Sequence, residues 1–297
     1  MITPQLQRMI KQNKSNIIVF SICLLILTYF MFDTLGYTHI ILRLITQPNY
    51  LNDFFTYNDN PELRQVSPTL FHFIKYLCTH SYCSFDELVV YSTAVFQVIL
   101  PLFSVVAGIN FYKHYHSIFQ MQIVREENYK KYILKTITIN ANRLAFSIFL
   151  SYIFFLIVVY FLSDPSIDIG GKRSFLLDIF GNELYHHKFI YYLLEGYIRF
   201  FMMPFVYSFF IQSTVLYFQN IKEVVAVPIV YYYLLTLIGY GCAIFHNNIY
   251  VYLSPAAMMA NGAFMNINSL LLIFTNSMPF FIGLILIYKK LRGHYEI

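Results

Sequence analysis

The chain has 297 residues, of which 58% are hydrophobic and only 12% are charged. Soluble domains carry about one quarter charged residues, so this composition excludes an ordinary soluble protein and favours a single membrane domain. The net charge of +5 is concentrated in a few segments. It therefore indicates how the chain is oriented in a membrane and does not indicate a nucleic-acid partner.

Residues 1–15 contain three basic residues and no acidic residue, with apolar residues at helical spacing. This pattern predicts a short cytoplasmic helix that lies along the membrane surface. The apolar segment that follows, from Asn16 to about Tyr37, is long enough to cross a bilayer. It is too long for a signal peptide and lacks a small-x-small cleavage site, so we expect it to remain as the first span.

Apolar segments along the rest of the chain predict an all-α membrane protein with six spans. The spans are expected at about 16–37, 88–112, 144–163, 189–218, 224–245 and 270–288, with external loops at 38–87, 164–188 and 246–269. The first of these loops is expected to contain short helices of its own, because none of its apolar patches reaches the length of a span.

Four of the predicted spans contain an internal proline, at positions 101, 204, 228 and 279. A proline frees the carbonyl group one turn earlier, and inside a membrane that carbonyl must find a partner in another helix or in water. Kinked spans therefore favour a packed bundle over isolated anchors. Prolines are also generally more frequent in membrane helices, which is the simpler interpretation.

The charges decide the expected orientation. With both ends in the cytoplasm, the cytoplasmic segments hold thirteen basic residues against four acidic ones. The external segments hold six basic residues against ten acidic ones, including Asp33 at the outer end of the first span. This excess of positive charge inside is typical of membrane proteins. We therefore expect a multi-pass protein of the plasma membrane with both termini in the cytoplasm.

The stretch from Phe111 to Arg143 is the longest basic segment between apolar runs, with six basic residues and only Glu126 and Glu127 as acids. Its apolar residues recur at helical spacing. The pattern predicts an amphipathic cytoplasmic helix beside the membrane, between the second and third spans. A solvated basic helix that has no partner is the alternative.

Motifs for catalysis are missing from the sequence, which has no Walker A segment, no H-E-x-x-H and no G-x-S-x-G. The pair Glu126-Glu127 resembles the paired glutamates of intramembrane abortive-infection-type peptidases. That pattern requires an arginine where this chain has Lys131, and histidines inside later spans, where this chain has none. We therefore expect a protein that is not an enzyme by itself.

Candidate metal and disulfide residues are few. The pairs His114/His116 and His186/His187 have no cysteine or carboxylate at ligand spacing, so no metal site is expected. Two external cysteines, Cys78 and Cys83, are separated by four residues and either form a disulfide or remain free thiols. The other two cysteines lie in spans and are expected to pack as apolar residues.

The order of parts resembles the permease subunit of ABC-2 type exporters. It comprises the N-terminal helix, the six spans, the sequence VREENYKKYILKTITINANRLAFSIFLSYIF leading into the third span, and YLSPAAMMANG before the sixth. The resemblance extends over the whole chain as a layout and rests on loosely defined motifs. The first external loop, of about 50 residues, is longer than in the compact polysaccharide-exporting members, which argues against a lipid-linked polymer as cargo.

The resemblance implies how such a protein would work. ATP and Mg would be bound by a separate ATPase subunit, with no cofactor on this chain, and a second permease, an identical copy or a paralogue, would complete the transporter. The helix between the second and third spans would be a coupling helix seated in a groove of the ATPase. Its contact residues would be Arg125, Glu126, Glu127, Tyr129 and Lys131.

The cargo is inferred from the aromatic residues, which make up 20% of the chain and include Tyr232 within a run of three tyrosines. Aromatic residues that line a transport path suit a hydrophobic or amphipathic substrate. The expected cargo is therefore a peptide toxin, bacteriocin or antimicrobial peptide, transported either for export or for self-protection. Glu195 and Arg199 lie in one span, four residues apart, and can pair on one helical face. They lie either in the headgroup layer or, with Tyr232, along the substrate path.

A protein of another class also fits the composition. A membrane sensor or assembly factor that transports nothing would use the same basic loop to bind anionic lipid. An ATPase subunit encoded beside this chain would favour the exporter.

Overall fold

The structure is a computed structural model. It describes residues 4–34, 37–57, 67–70, 72–73, 84–116, 129–163, 184–244, 247–259 and 268–292. Every regular element within these ranges is a helix. The predicted all-α class is therefore confirmed.

Twelve α-helices and one π-helical turn account for most of the described residues. The helices before the third span are α1 (Pro4–Thr34), α2 (Tyr37–Thr46), α3 (Tyr50–Tyr57), α4 (Phe85–Ala94) and α5 (Phe96–His114). They are followed by α6 (Tyr129–Leu162), α7 (Lys188–Gly196), the π turn (Tyr197–Met202), α8 (Met203–Val215), α9 (Ile221–Ala243), α10 (Asn247–Leu253), α11 (Pro255–Met259) and α12 (Ser269–Arg292).

Six helices of the described chain are long and apolar enough to cross a membrane. They correspond one to one with the six predicted spans and cover Lys14–Thr34, Phe96–His114, Lys131–Phe161, Lys188–Val215, Ile221–Ala243 and Leu270–Arg292. The number and order of spans expected from the apolar segments are therefore found in the structure.

The beginning of the chain differs from the predicted arrangement of a surface helix followed by a span. Helix α1 runs from Pro4 to Thr34 without interruption, and its uninterrupted apolar part begins at Ile17. The sequence between them contains no glycine or proline that would break a helix. The N-terminal residues therefore extend the first spanning helix in the same direction.

The second predicted span, residues 88–112, is two helices in the structure. Helix α4 ends at Ala94 and α5 begins at Phe96, so only α5 has the length of a span. Helix α4 begins earlier than the apolar run because Ser84 caps it, its side chain accepting a hydrogen bond from the Glu87 backbone at 3.2 Å. Its buried residues pack against α1 and add a short layer to the bundle.

Short helices also occupy parts of two predicted external loops. Helices α2 and α3 lie in the first predicted loop, as expected, although α2 begins one residue before it, at Tyr37. Helices α10 and α11 lie within residues 246–269, where a polar external segment was expected. All five residues of α11, Pro255–Met259, are buried, because this helix packs against α5, α9 and α12. This part of the predicted loop therefore belongs to the core.

The spanning helix formed by α7, the π turn and α8 is the most buried of the six. It packs against α6 on one side and, through α8, against α5 and α12. One apolar cluster surrounds its first half and contains Tyr152, Tyr191 and Phe200. A second cluster surrounds its last turns and contains Ile211, Ile137 of α6 and Ile287 of α12. The fourth span is thus the central helix of the bundle.

All four span prolines, at positions 101, 204, 228 and 279, are buried against neighbouring helices. At Pro101 the consequence is visible: the Gln97 carbonyl, one turn earlier, accepts a hydrogen bond from the Tyr232 hydroxyl at 2.5 Å. The adjacent Val98 carbonyl accepts one from Tyr233 at 2.6 Å. Helix α9 therefore supplies the partners that the proline-bearing α5 needs, which confirms the expectation of a packed bundle.

Candidate functional site

Buried charges in the central helix form the most polar part of the bundle interior. Arg199 on the π turn contacts Glu195 on α7 at 2.6 Å, and each side chain is 2% exposed. The spacing of four residues brings them to the same helical face, as the sequence predicted. The pair therefore lies inside the bundle formed by this chain, and other helices surround it.

The ring of Tyr152, from α6, lies beside this pair. It stacks on Phe200 with ring centroids 4.4 Å apart and planes at 11°, and its hydroxyl donates to the Tyr192 carbonyl at 2.9 Å. The ring approaches Gly196 so closely that a Cβ placed there would lie 1.9 Å from it. The glycine therefore permits α6 and α7 to meet beside the ion pair.

The π turn gives this site its local geometry. Pro204 lies two residues after the turn and has no backbone N–H, so the regular hydrogen-bond ladder cannot continue through this position. A π-helical turn inserts an extra residue into the helix and often occurs at functional positions. In this protein the π turn contains Arg199 and connects α7 to α8.

A second buried ion pair joins α7 to α4. Lys188 contacts Asp86 at 2.7 Å, with side chains that are 9% and 4% exposed. Both residues were expected in external loops, yet each lies at the start of a helix that packs into the bundle. Since Lys188, Glu195 and Arg199 all belong to one spanning helix, its first half combines three charged residues with a shell of aromatic rings.

Tyr232, the third residue proposed for the substrate path, is fully buried and bonded to the Gln97 carbonyl. It lies in the same apolar cluster as Tyr152 and Phe200. The three path residues are thus interior groups of one helical bundle. A path that uses them requires a rearrangement that separates the packed helices.

The predicted contact residues of the coupling helix are only partly described. Arg125, Glu126 and Glu127 lie outside the described residues, Tyr129 is the first residue of α6, and the Lys131 side chain is exposed. The structure assigns the last part of the basic stretch, Tyr129–Arg143, to the same helix as the third span. Phe111 and the residues up to His114 belong to α5.

Several basic helix ends lie together at one end of the bundle. Residues 14–18 of α1, the end of α5 and the first half of α6 line one cavity. Tyr112 near the end of α5 donates a hydrogen bond to the Gln219 carbonyl, just before α9. Tyr217 donates to the Leu286 carbonyl of α12 at 2.6 Å, and Lys290 lies 5.4 Å from its ring centre. The helix ends that carry the basic segments therefore converge.

The structure describes two of the four cysteines. Cys78 and Cys83 lie outside the described residues, so their bonding stays a prediction. Within the described ranges, Cys23 and Cys242 are free thiols, and no group of three or more potential metal ligands occurs. No sequence pattern indicated the Asp86–Lys188 pair or the cavity at the basic end.

No protein-family model matches this sequence, and comparisons with characterised proteins and with solved structures gave no match.

Proposed function

We propose that this protein is the permease subunit of an ABC-2 type exporter, which moves a hydrophobic or amphipathic peptide out of the cell or the membrane. ATP and Mg would be bound by a separate ATPase subunit, and the transporter would contain a second permease copy or a paralogue. Both termini would face the cytoplasm. Two observations support this function: the order of segments resembles that of ABC-2 type permeases, and α6 extends beyond the length of a membrane span.

Helix α6 is longer than a membrane requires. Its 34 residues correspond to about 51 Å at 1.5 Å per residue, whereas the hydrocarbon core of a bilayer is about 30 Å thick. The additional length is the basic part that precedes Leu144. This part extends from the third span towards the segment in which the coupling helix is predicted.

The extension is attached firmly to the bundle. Ile133, Ile137 and Ala141 are fully buried and share one helical face, which packs into the cluster that contains Ile211 and Ile287. The Lys131 side chain, on another face, is exposed. A partner that pushes on the residues before Tyr129 would therefore act on a rigid helix seated between other spans.

This arrangement provides a physical route for coupling. A displacement of α6 would act directly on the contact between Tyr152 and Gly196, because α6 carries the tyrosine and the central helix carries the glycine. Movement at this contact would separate α6 from the helix that holds Glu195 and Arg199. Rigid-body shifts of this kind are a common way to transmit a change between sites.

Co-purification tests the proposal. The tagged chain, extracted from its native membrane in mild detergent, is expected to retain a subunit that contains a Walker A motif and hydrolyses ATP. Reversal of charge at Arg125 and Lys131 together should weaken that association by about tenfold or more, because a lost charge-assisted contact costs about 1.5–3 kcal/mol. Insertion of the chain into the membrane should be unaffected, because the remaining basic residues still keep this segment on the cytoplasmic side.

A matched control reverses Lys222 and Lys289, which are exposed basic residues elsewhere at the same end of the bundle. This variant has the same net charge and should retain the ATPase. Equal losses in both variants would indicate non-specific attraction to basic charge. A chain that retains anionic lipid and no ATPase would support the sensor or assembly factor.

A further inference from the structure

An open cavity of about 620 Å³ lies between α1, α5 and α6 at the basic end of the bundle. Its volume is within the range of sites that hold small ligands, roughly 300–1,000 Å³. Most of its lining side chains are polar or basic, and two buried apolar residues, Ala107 and Leu144, also line it.

The chemistry of the lining favours an anion. Lys14, His114 and Arg143 come from three different helices, and the amides of Asn110 and Asn140 also line the cavity. The described residues that line the cavity include no carboxylate. Lysine and arginine donate several hydrogen bonds to phosphate oxygens, and amide side chains can donate more.

An apolar groove of about 400 Å³ adjoins this cavity on the outer face of α1 and α6. Asn16 and Arg143 line both spaces, so the groove lies directly beside the polar cavity. The groove is walled by Ile17, Phe20 and Phe146, together with Leu150. Ile17 and Phe146 are 50% and 54% exposed in this chain, so the wall is apolar surface that faces away from the bundle.

The depth of the two spaces matches the layers of a membrane. The uninterrupted apolar part of α1 begins at Ile17, and that of α6 begins at Leu144. The basic side chains of Lys14 and Arg143 thus lie at the boundary between the apolar and polar layers. The groove residues follow on the apolar side, where acyl chains would lie.

We propose that this cavity and groove form a binding site for an anionic phospholipid. The phosphate occupies the polar cavity between Lys14, His114 and Arg143, and an acyl chain follows the groove between Phe20 and Phe146. Charge complementarity selects an anionic headgroup over a zwitterionic one, because the lining contributes positive charge and no described negative charge. The site is separate from the buried pairs and from the predicted ATPase contact, and it requires neither for binding.

Native mass spectrometry of the purified chain in mild detergent tests this site with dioleoyl phosphatidylglycerol and dioleoyl phosphatidylcholine as probes. Both lipids carry the phosphate, but only the zwitterionic one brings a choline cation beside the basic side chains. The anionic lipid is therefore expected to bind at least about tenfold more tightly, a difference of about 1.4 kcal/mol. The double variant Lys14→Gln, Arg143→Gln should lose this preference. The variant Asn140→Trp keeps every charge and fills the cavity, so it should also lose the preference.

The control variant Lys135→Gln, Lys222→Gln has the same net charge as the first double variant and changes two exposed residues that line neither space. It should bind the anionic lipid as the unmodified chain does. Equal binding by all four proteins would overturn the proposal. Displacement of the lipid by glycerol 3-phosphate at comparable concentration would also overturn it, because the groove would then contribute nothing.

Discussion

The hydroxyl of Tyr232 replaces a backbone hydrogen bond that α5 cannot make. Pro101 has no N–H to offer the Gln97 carbonyl, and the tyrosine from α9 donates to that oxygen instead. A buried carbonyl without a partner is costly, particularly where water is scarce. Tyr232 therefore stabilises the bundle, independently of any contact that it makes with a substrate.

Replacement of Tyr232 by phenylalanine should lower the free energy of unfolding by roughly 1–2 kcal/mol. The same replacement in a Pro101→Ala background should cost much less, because an alanine at that position supplies the missing backbone donor. Thermal unfolding in detergent measures both, with Tyr288→Phe as the control for an exposed tyrosine. Equal losses in the two backgrounds would show that the bond does not compensate for the proline.

The Glu195–Arg199 pair is held in an interior from which solvent is largely excluded. Removing one partner leaves a buried charge without its counter-charge, which costs about 3–5 kcal/mol in buried pairs. We therefore expect Glu195→Gln and Arg199→Met each to destabilise the protein strongly. The double variant should be less destabilised than the sum of the two, as measured by a double-mutant cycle of thermal unfolding.

The same variants also test the substrate path. If these residues line it after a rearrangement, a variant that still assembles with its ATPase should export less cargo. Normal export from both single variants would show that the pair does not line the substrate path. Additive losses of stability would contradict a direct interaction between the two side chains.

The spacing of residues explains which of these interactions could be predicted. Glu195 and Arg199 are four positions apart on one helix, so their pairing follows from helical geometry. Asp86 and Lys188 are 102 positions apart, and Tyr232 and Gln97 are 135 apart. Such pairs form only when distant helices pack together, and the periodicity of a single sequence does not show which helices are neighbours.

Among the helices, α6 and α7 approach very tightly at Gly196. The Tyr152 ring there is stacked on Phe200 and hydrogen-bonded to the Tyr192 carbonyl, so it cannot easily move away from an added methyl group. Overpacking of a buried contact costs about 1–3 kcal/mol. This contact therefore fixes the position of α6 relative to the central helix.

The variant Gly196→Ala should be destabilised by about that amount, and the proposed coupling should weaken because α6 is displaced. The control is Gly241→Ala on α9, where an added Cβ would meet no atom within 4 Å. Alanine there should be neutral or slightly stabilising, since it favours a helix by about 1 kcal/mol over glycine. Comparable stability of both variants in thermal unfolding would contradict the close approach.

Helix number and order followed from apolar length, because each span needs about 20 apolar residues. Helix boundaries were less predictable. Helix α4 begins at the Ser84 cap and α5 restarts at Phe96 inside one apolar run, and α1 continues through a change from polar to apolar residues. Hydrophobicity marks the membrane depth of a residue, whereas caps and packing decide where a helix begins and ends.

In the whole molecule, the positive-inside rule applied to the basic segments predicts one orientation, with both termini in the cytoplasm. Single cysteines are therefore expected to react with an impermeant reagent from outside, in a background that lacks Cys78 and Cys83, at Asn60, Gly170 and Asn261. Cysteines at Asn128, Asn220 and Gly293 should react only after the membrane is opened. Labelling of Asn128 in intact cells would place the basic segment outside and exclude the coupling helix.

We propose that this chain moves an amphipathic peptide with energy from a separate ATPase. The decisive measurement is the uptake of a fluorescent amphipathic peptide by inside-out membrane vesicles that contain the chain and its ATPase. Uptake is expected to require ATP, to stop with a non-hydrolysable analogue, and to fall in the variant with charge reversal at Arg125 and Lys131. Equal uptake with and without ATP would exclude ATP-driven transport by this chain.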